Sequence, residues 1–420
     1  MSATLAANEA MEDRRRRGER VVPMAFGEVG LPIHPLLREE LSAAARYTDY
    51  GPVAGTARLR TAVAGYWERR GLSTDPGVVV VAPGSKPLLY ALRLAIGGDV
   101  ILPRPSWVSY AAQADMLGGL SWSVPTLPGE GGVPDPEATA RAVGVARSAG
   151  REIRQVVVTL PDNPTGSTAA PETVRALSRV ARDLDLMIVS DEIYRDLLHS
   201  DDTPYASPAQ FAPERTVVTT GLSKNLALGG WRVGAARFPD SPRGHRLRSH
   251  VLGIASETWS TPPQPMQYAA VPAFDEDPHL AAYIELATRL HGRVASAVAT
   301  RWQAWGSQPF APTAAFYVYP DLGAHRSRLA RTWGVTTSAE LAALLLERYG
   351  IGVLPGEVFG ECGSKMRLRL ATSLLYGRDD DERTAAMEAV DALELPWISK
   401  VLDFMDESLA DLLATGANKR

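Results

Sequence analysis

The chain has a single cysteine, Cys362, so it can build neither an internal disulfide framework nor a cysteine-based metal cluster. It has no basic excess. Its 44 Lys and Arg stand against 48 Asp and Glu, a formal net charge of −4 over 420 residues, which argues against a dedicated nucleic-acid binder. No stretch approaches the ~18 to 20 apolar residues that a membrane span needs, and the mean hydropathy is −0.10. Arg14 to Arg17 form a basic cluster, but Gly18-Glu19-Arg20 follows with no apolar run behind it, so no secretion signal is expected. Lysine is scarce as well. Only Lys86, Lys224, Lys365, Lys400 and Lys419 could serve a step that needs a primary amine. The expectation is a soluble, cytoplasmic globular protein with no metal, membrane or nucleic-acid partner, long enough for about two to three domains.

What is present is a rhythm. Between Val78 and about Phe238, short β-branched runs alternate with segments of helical spacing. The runs are Val78–Val81, Val100–Leu102, Val156–Val158, Met187–Val189, Val217–Thr219 and Val233–Ala236. The helical segments include Lys86–Ile96, Trp107–Leu117 and Pro171–Asp183. Strands that read as continuous apolar runs are covered on both faces, so the pattern predicts a mostly parallel sheet between helices. Beyond about residue 285 it changes to Ala/Leu/Arg helices, Leu280–Thr300 and Ser338–Tyr349, with short strands at Phe316–Tyr319 and Met366–Leu370. We therefore expect a large α/β domain over 46–285. A smaller α+β domain would be made of 1–45 and 286–420, capped by a helix at Trp397–Leu413. The polar first ~20 residues are expected to be frayed or draped over a partner.

Ligands of open α/β sheets bind beyond the carboxyl ends of the strands, and here those ends are chemically rich. Pro83-Gly84-Ser85-Lys86 leads into a helix whose free N–H groups suit a phosphate. Arg104-Pro105-Ser106-Trp107 offers a ring for stacking, and Asp162-Asn163-Pro164-Thr165-Gly166 a proline-fixed amide. Asp191-Glu192-Ile193-Tyr194 ends a buried strand with an acid, which is unfavourable unless something positive pairs with it. Gly221-Leu222-Ser223-Lys224 ends another with an amine, and Gly230-Trp231-Arg232-Val233-Gly234 follows. Each has an ordinary explanation alone: a core tryptophan, an Asn-Pro turn, a helix cap. Together they form a receptor for a phosphorylated, aromatic, protonatable aldehyde, and pyridoxal 5′-phosphate (PLP) is such a molecule.

The same motifs resemble the fold-type-I PLP enzymes, specifically the class I/II aminotransferases related to aspartate aminotransferase, from about Phe26 to Ser373. The resemblance also rests on Tyr50-x4-Gly55-x3-Leu59-Arg60, Trp107-Val108-Ser109-Tyr110 and Arg367-Leu368-x-Leu370-Ala371-Thr372-Ser373. It implies a PLP-transferase-like large domain and a ping-pong transfer of an amino group from an L-α-amino acid to a 2-oxo acid. Lys224 would form the Schiff base with PLP and shuttle a proton, while Asp191 would pair with the ring nitrogen. Asn163 and Tyr194 would bond the phenolic oxygen, and Trp107 would stack on the ring. Gly84, Ser85, Lys86, Ser223 and Arg232 would hold the phosphate. Tyr50 would reach the cofactor of the other subunit in a homodimer, and Gly27 would belong to a segment lying over the substrate.

Arg367 would grip the substrate α-carboxylate. Arg369 faces the same side of a strand and could join or replace it. Gly221 stands where many relatives carry a hydroxyl. Side-chain specificity would come from segments such as Ser256–Gln267 and the surroundings of His34.

Two other readings compete. The same scaffold supports β-lyases, oxidases or hydroxylases, and cyclases of specialised biosynthesis, all of which need Lys224 and Asp191. A regulator built on this fold would carry an additional DNA-binding domain, and only about 25 residues precede the family match.

Overall fold

The computed structural model describes residues 3–308 and 311–414. At its centre is a seven-stranded sheet: β1 (Val79–Ala82), β2 (Asp99–Arg104), β3 (Ser121–Pro125), β4 (Ile153–Thr159), β5 (Met187–Asp191), β6 (Thr216–Gly221) and β7 (Gly234–Arg237). Their spatial order is β1-β7-β6-β5-β4-β2-β3. Neighbours run parallel except at β7, which is antiparallel to both β1 and β6. The mostly parallel sheet is as expected. Alternate side chains of one strand enter different cores. Val79 and Val81 join one apolar cluster while Val80 and Ala82 join another, each at 1% exposure or less. Burying one such valine is worth about 1.5–3 kcal/mol, so a strand with two apolar faces stays in the middle layer.

The covering helices include α1 (Ala57–Glu68), α2 (Ser85–Ile96), α3 (Val108–Met116), α4 (Pro136–Ser148), α5 (Pro171–Asp183) and α6 (Pro242–Thr258). Several of these elements are absent from the sequence reading, β3 and α4 among them. Strand β3 was not foreseen because it is an edge strand of composition Ser-Trp-Ser-Val-Pro, in which only Val124 is buried. Helix α4 begins directly after a Gly/Pro-rich loop, with Asp135 accepting from the N–H groups of Glu137 and Ala138.

The C-terminal part carries α7 (Pro278–Ala304), α8 (Ser338–Tyr349) and α9 (Pro396–Leu413). A small antiparallel sheet is built of β8 (Tyr317–Val318), β9 (Leu354–Pro355) and β10 (Leu368–Ala371), with β10 in the centre. Helix α7 is unbroken over 27 residues and passes straight through the expected boundary at 285. The N-terminus also departs from expectation. Ala3–Arg16 is a helix, not a frayed tail. Met11 is fully buried against Gly352, and Arg14 donates to the Glu347 carbonyl. Val22–Pro23 then pairs in parallel with Ile351–Gly352, fixing the approach of the segment that contains Gly27.

Candidate active site

The register of the sheet brings the chemistry to one level. Thr159 pairs with Asp191, and Asp191 with Thr219, so three polar residues line up at the carboxyl ends of β4, β5 and β6. Thr159 and Asp191 line a cavity of about 420 Å³, with Thr219 bonded to Asp191 beside it. Of the residues expected there, Gly27, Ser85, Lys86, Trp107, Asn163, Asp191, Tyr194, Ser223, Lys224 and Arg232 line it.

Asp191 is 3% exposed and forms no ion pair among the described residues. It accepts from Tyr110 Oη at 2.8 Å and Thr219 Oγ1 at 3.1 Å. Burial raises its carboxyl to about 6, against the lowering by those two hydroxyls. The cofactor-free folded state therefore holds this proton more tightly than the unfolded chain. That contribution is full below about pH 4 and is lost as pH rises through about 6. In Asp191→Asn this slope is expected to vanish, and at pH 7.5 the cofactor-free variant should melt about 1–3 °C above the parent. Both hydroxyls can donate to or accept from an amide, so the fold tolerates the change. Thermal unfolding of both proteins between pH 4 and 7.5 checks this.

Lys224 sits just beyond β6 and donates to the Gly27 carbonyl at 2.6 Å. Burial, with Arg369, Arg232 and Lys86 nearby, lowers its amine to about 8, and Glu28 opposes them. Tyr194 Oη lies 2.8 Å from Tyr317 Oη and 3.5 Å from the Asn163 amide nitrogen. Trp107 makes an edge contact with Tyr110, and the Lys86 amine stands 4.9 Å over its ring.

One end of the cavity is shaped for an anion. Gly84 is the N-cap of α2 and offers no side chain to its first N–H groups, which leaves them open. Its φ of 95° is a left-handed conformation that glycine tolerates. A Cβ there would fall on the Arg232 guanidinium. Arg232 itself adopts φ 56°, strained for a residue with a side chain. Uncapped N–H groups beside an arginine, a ring platform, a buried carboxylate without a countercharge and an amine between them match the phosphate, ring, ring nitrogen and aldehyde of PLP. The residues present fit that group.

Three expectations need correction or relocation. Arg367 is outside the cavity: its guanidinium bonds Asp321 at 2.9 Å and Glu361 at 2.7 Å. Arg369 lines the cavity. Both lie on one face of the strand, but Ala371 pairs with Tyr317 and Arg367 bridges to Asp321. The two arginines are therefore about 7 Å apart along the strand, and only the second comes under the cavity. The Ala371-Thr372-Ser373 pattern favoured Arg367, which does not line this cavity. Arg369 is 2% exposed, bonds the Ala25 carbonyl and Asn163 Oδ1, and leaves its buried Nε without a partner.

Tyr50 is 90% exposed and takes no part in lining this chain's own cavity. His34 caps the helix Pro35–Ala44, accepting from Leu36 N, and neither it nor Ser256–Gln267 lines the cavity. The missing hydroxyl at Gly221 has a steric reason, since a Cβ there would stand 2.7 Å from the Val233 carbonyl.

Sequence reasoning overlooked Tyr110, Thr159, Thr219 and Tyr317. Tyr110 was inside a quoted motif, three residues after Trp107 at helical spacing, which was the available signal. Tyr317 lies 123 residues from Tyr194 and left none.

A family model described as aminotransferase class I and II matches residues 27–385. The aspartate/prephenate aminotransferase of Thermus thermophilus is 34% identical over 378 residues, covering 89% of this chain and 92% of the relative. The aspartate aminotransferase of Geobacillus stearothermophilus is 31% identical, with coverages of 89% and 92%. Among solved structures, the Thermus thermophilus aspartate aminotransferase with maleate superposes with a TM-score of 0.81 at 30% identity, covering 97% of this chain and 96% of that one.

Proposed function

Because the chain belongs to the class I and II aminotransferase family, we propose a role for each group in its cavity and a class of substrate. The protein is a PLP-dependent aminotransferase, passing an amino group from an L-α-amino acid to a 2-oxo acid in two half-reactions. The bound cofactor supplies a conjugated, protonated ring that takes up the electron pair released at the substrate Cα.

Asp191 holds negative charge against the ring nitrogen from a dry, neutral bed of hydroxyls, where one charge acts strongly. The α2 N-terminus, Ser85, Lys86, Ser223 and Arg232 neutralise the phosphate. Trp107 covers the ring, while Asn163 and Tyr194 orient its phenolic oxygen. Arg369, with its unpartnered Nε, grips the α-carboxylate. Phe26, Gly27 and Val29 exclude water from above. An amine at about 8 both takes and gives a proton near neutral pH, so Lys224 acts as the general base at Cα and then as the acid that returns the proton.

The donor we propose is acidic, aspartate first, in keeping with the names of the relatives. The observation that carries the reading is the shared cavity of Lys224, Asp191 and Arg369. In a single turnover of the loaded enzyme, aspartate should yield one equivalent of 2-oxo acid. Ammonia release or oxygen uptake instead would point to the lyase or oxidase chemistries.

We also propose a homodimer in which the exposed Tyr50 completes the partner's phosphate site. Tyr50→Phe should weaken cofactor affinity about tenfold to a hundredfold, the worth of one hydrogen bond to a charged group. Equilibrium dialysis measures it, and sedimentation should show an unchanged dimer. Among the described residues no helix is long and apolar enough to cross a membrane.

A further inference from the structure

Tyr194 and Lys224 leave the ends of two adjacent strands, β5 and β6. Two residues after Tyr194, in the turn Arg195–Leu197, stands Asp196. Its side chain is only 10% exposed, and three donors converge on it, two from α1 and the turn that ends it and one from the loop after β6. Tyr66 Oη of α1 lies 3.0 Å from Oδ1 and 3.1 Å from Oδ2, and Arg70 Nη2 lies 2.8 Å from Oδ1. Asn225 Nδ2 donates to Oδ2 at 2.8 Å. Asn225 directly follows Lys224, is 7% exposed, and its own Oδ1 has no partner. Asp196 is thus the sole side-chain tie of Asn225 recorded among the described residues. Arg70 also lies 3.5 Å over the Tyr66 ring and bonds Glu276, which fixes the far side of the assembly.

We propose that Asp196 is a positioning residue: acting through Asn225, it binds the turn that carries Tyr194 to the turn that carries Lys224. The proposal rests on the roles given above to Lys224 and Tyr194. A carboxylate suits the task because it accepts from all three donors at once. An amide at 196 would turn one N–H toward another donor. The reacting amine must be held to a fraction of an ångström, since a misplacement of about 1 Å can cost about 100-fold in rate.

The test uses Asp196→Asn, Asn225→Ala and the double variant, with Tyr66→Phe as a control that leaves the Asn225 tie in place. Each of the first two should lower kcat about tenfold with the donor KM held within about twofold, and the double variant should be no worse than either single one. Tyr66→Phe should lower the melting temperature more than kcat. A second readout needs no cofactor: trinitrobenzenesulfonate labelling of Lys224 against pH, followed by peptide mass spectrometry.

The labelling midpoint, about 8 in the parent, should rise in both tie-breaking variants as the loosened amine gains water. Losses that multiply in the double variant, or an unchanged midpoint with only a lower melting temperature, would overturn the proposal. Failure of the aminotransferase reading would look different, as a parent that turns over no donor while its labelling profile still responds to Asn225→Ala.

Discussion

Lys224→Ala is expected to lower kcat by about 10⁴-fold or more, the worth of a positioned acid–base group together with the covalent anchor it provides. Among the described residues Lys86 is the one other lysine lining the cavity, and it stands over the Trp107 ring. Lys224→Arg should be as inactive, because a guanidinium stays protonated and cannot accept the Cα proton. The fold should survive both changes. The unfolded chain holds the Lys224 proton up to about pH 10.4, whereas the folded protein releases it at about 8. Cofactor-free parent stability therefore rises between those pH values, and the alanine variant should lack that rise. Single-turnover assays and thermal unfolding from pH 7 to 10.5 measure the two halves of this expectation.

The second large effect separates the two arginines of β10. Arg369→Ala should reduce kcat/KM about 10²–10³-fold, mostly through KM, as expected for losing a buried two-pronged grip on a carboxylate. Arg369→Lys should recover part of it, because a point charge replaces the fork. Arg367→Ala should leave kcat/KM within about threefold. Its cost falls on stability, about 1–2 kcal/mol, because Asp321 and the buried Glu361 lose a shared partner. Steady-state kinetics on aspartate and a urea titration of each variant decide the matter. The reverse pattern would return the carboxylate to Arg367.

That exchange shows where the sequence stops being readable. The strands of the large sheet were legible because Val79–Ala82 and its neighbours are buried on both faces, which leaves an uninterrupted apolar signature. The edge strand Ser121–Pro125 has no such signature. The cavity's floor was legible because Asp191 and Lys224 are unfavourable at the ends of buried strands and need a reason. The reversal of β7 was not, since Gly-Ala-Ala-Arg carries no mark of strand direction. Nor was the choice between Arg367 and Arg369. Two residues on one face of a strand are equivalent until the partner strand fixes which lies under the cavity, and that pairing joins segments some fifty residues apart. Asp196 and Tyr317 depend in the same way on contacts across the chain.

The segment over the cavity has mechanical consequences. It is stitched to the C-terminal part by the pairing of Val22–Pro23 with Ile351–Gly352, by Ser373 Oγ donating to the Glu28 carbonyl, and by Arg369 donating to the Ala25 carbonyl. Roof and Arg369 are thus fastened directly to one another, so a substitution that unseats either is expected to loosen the other.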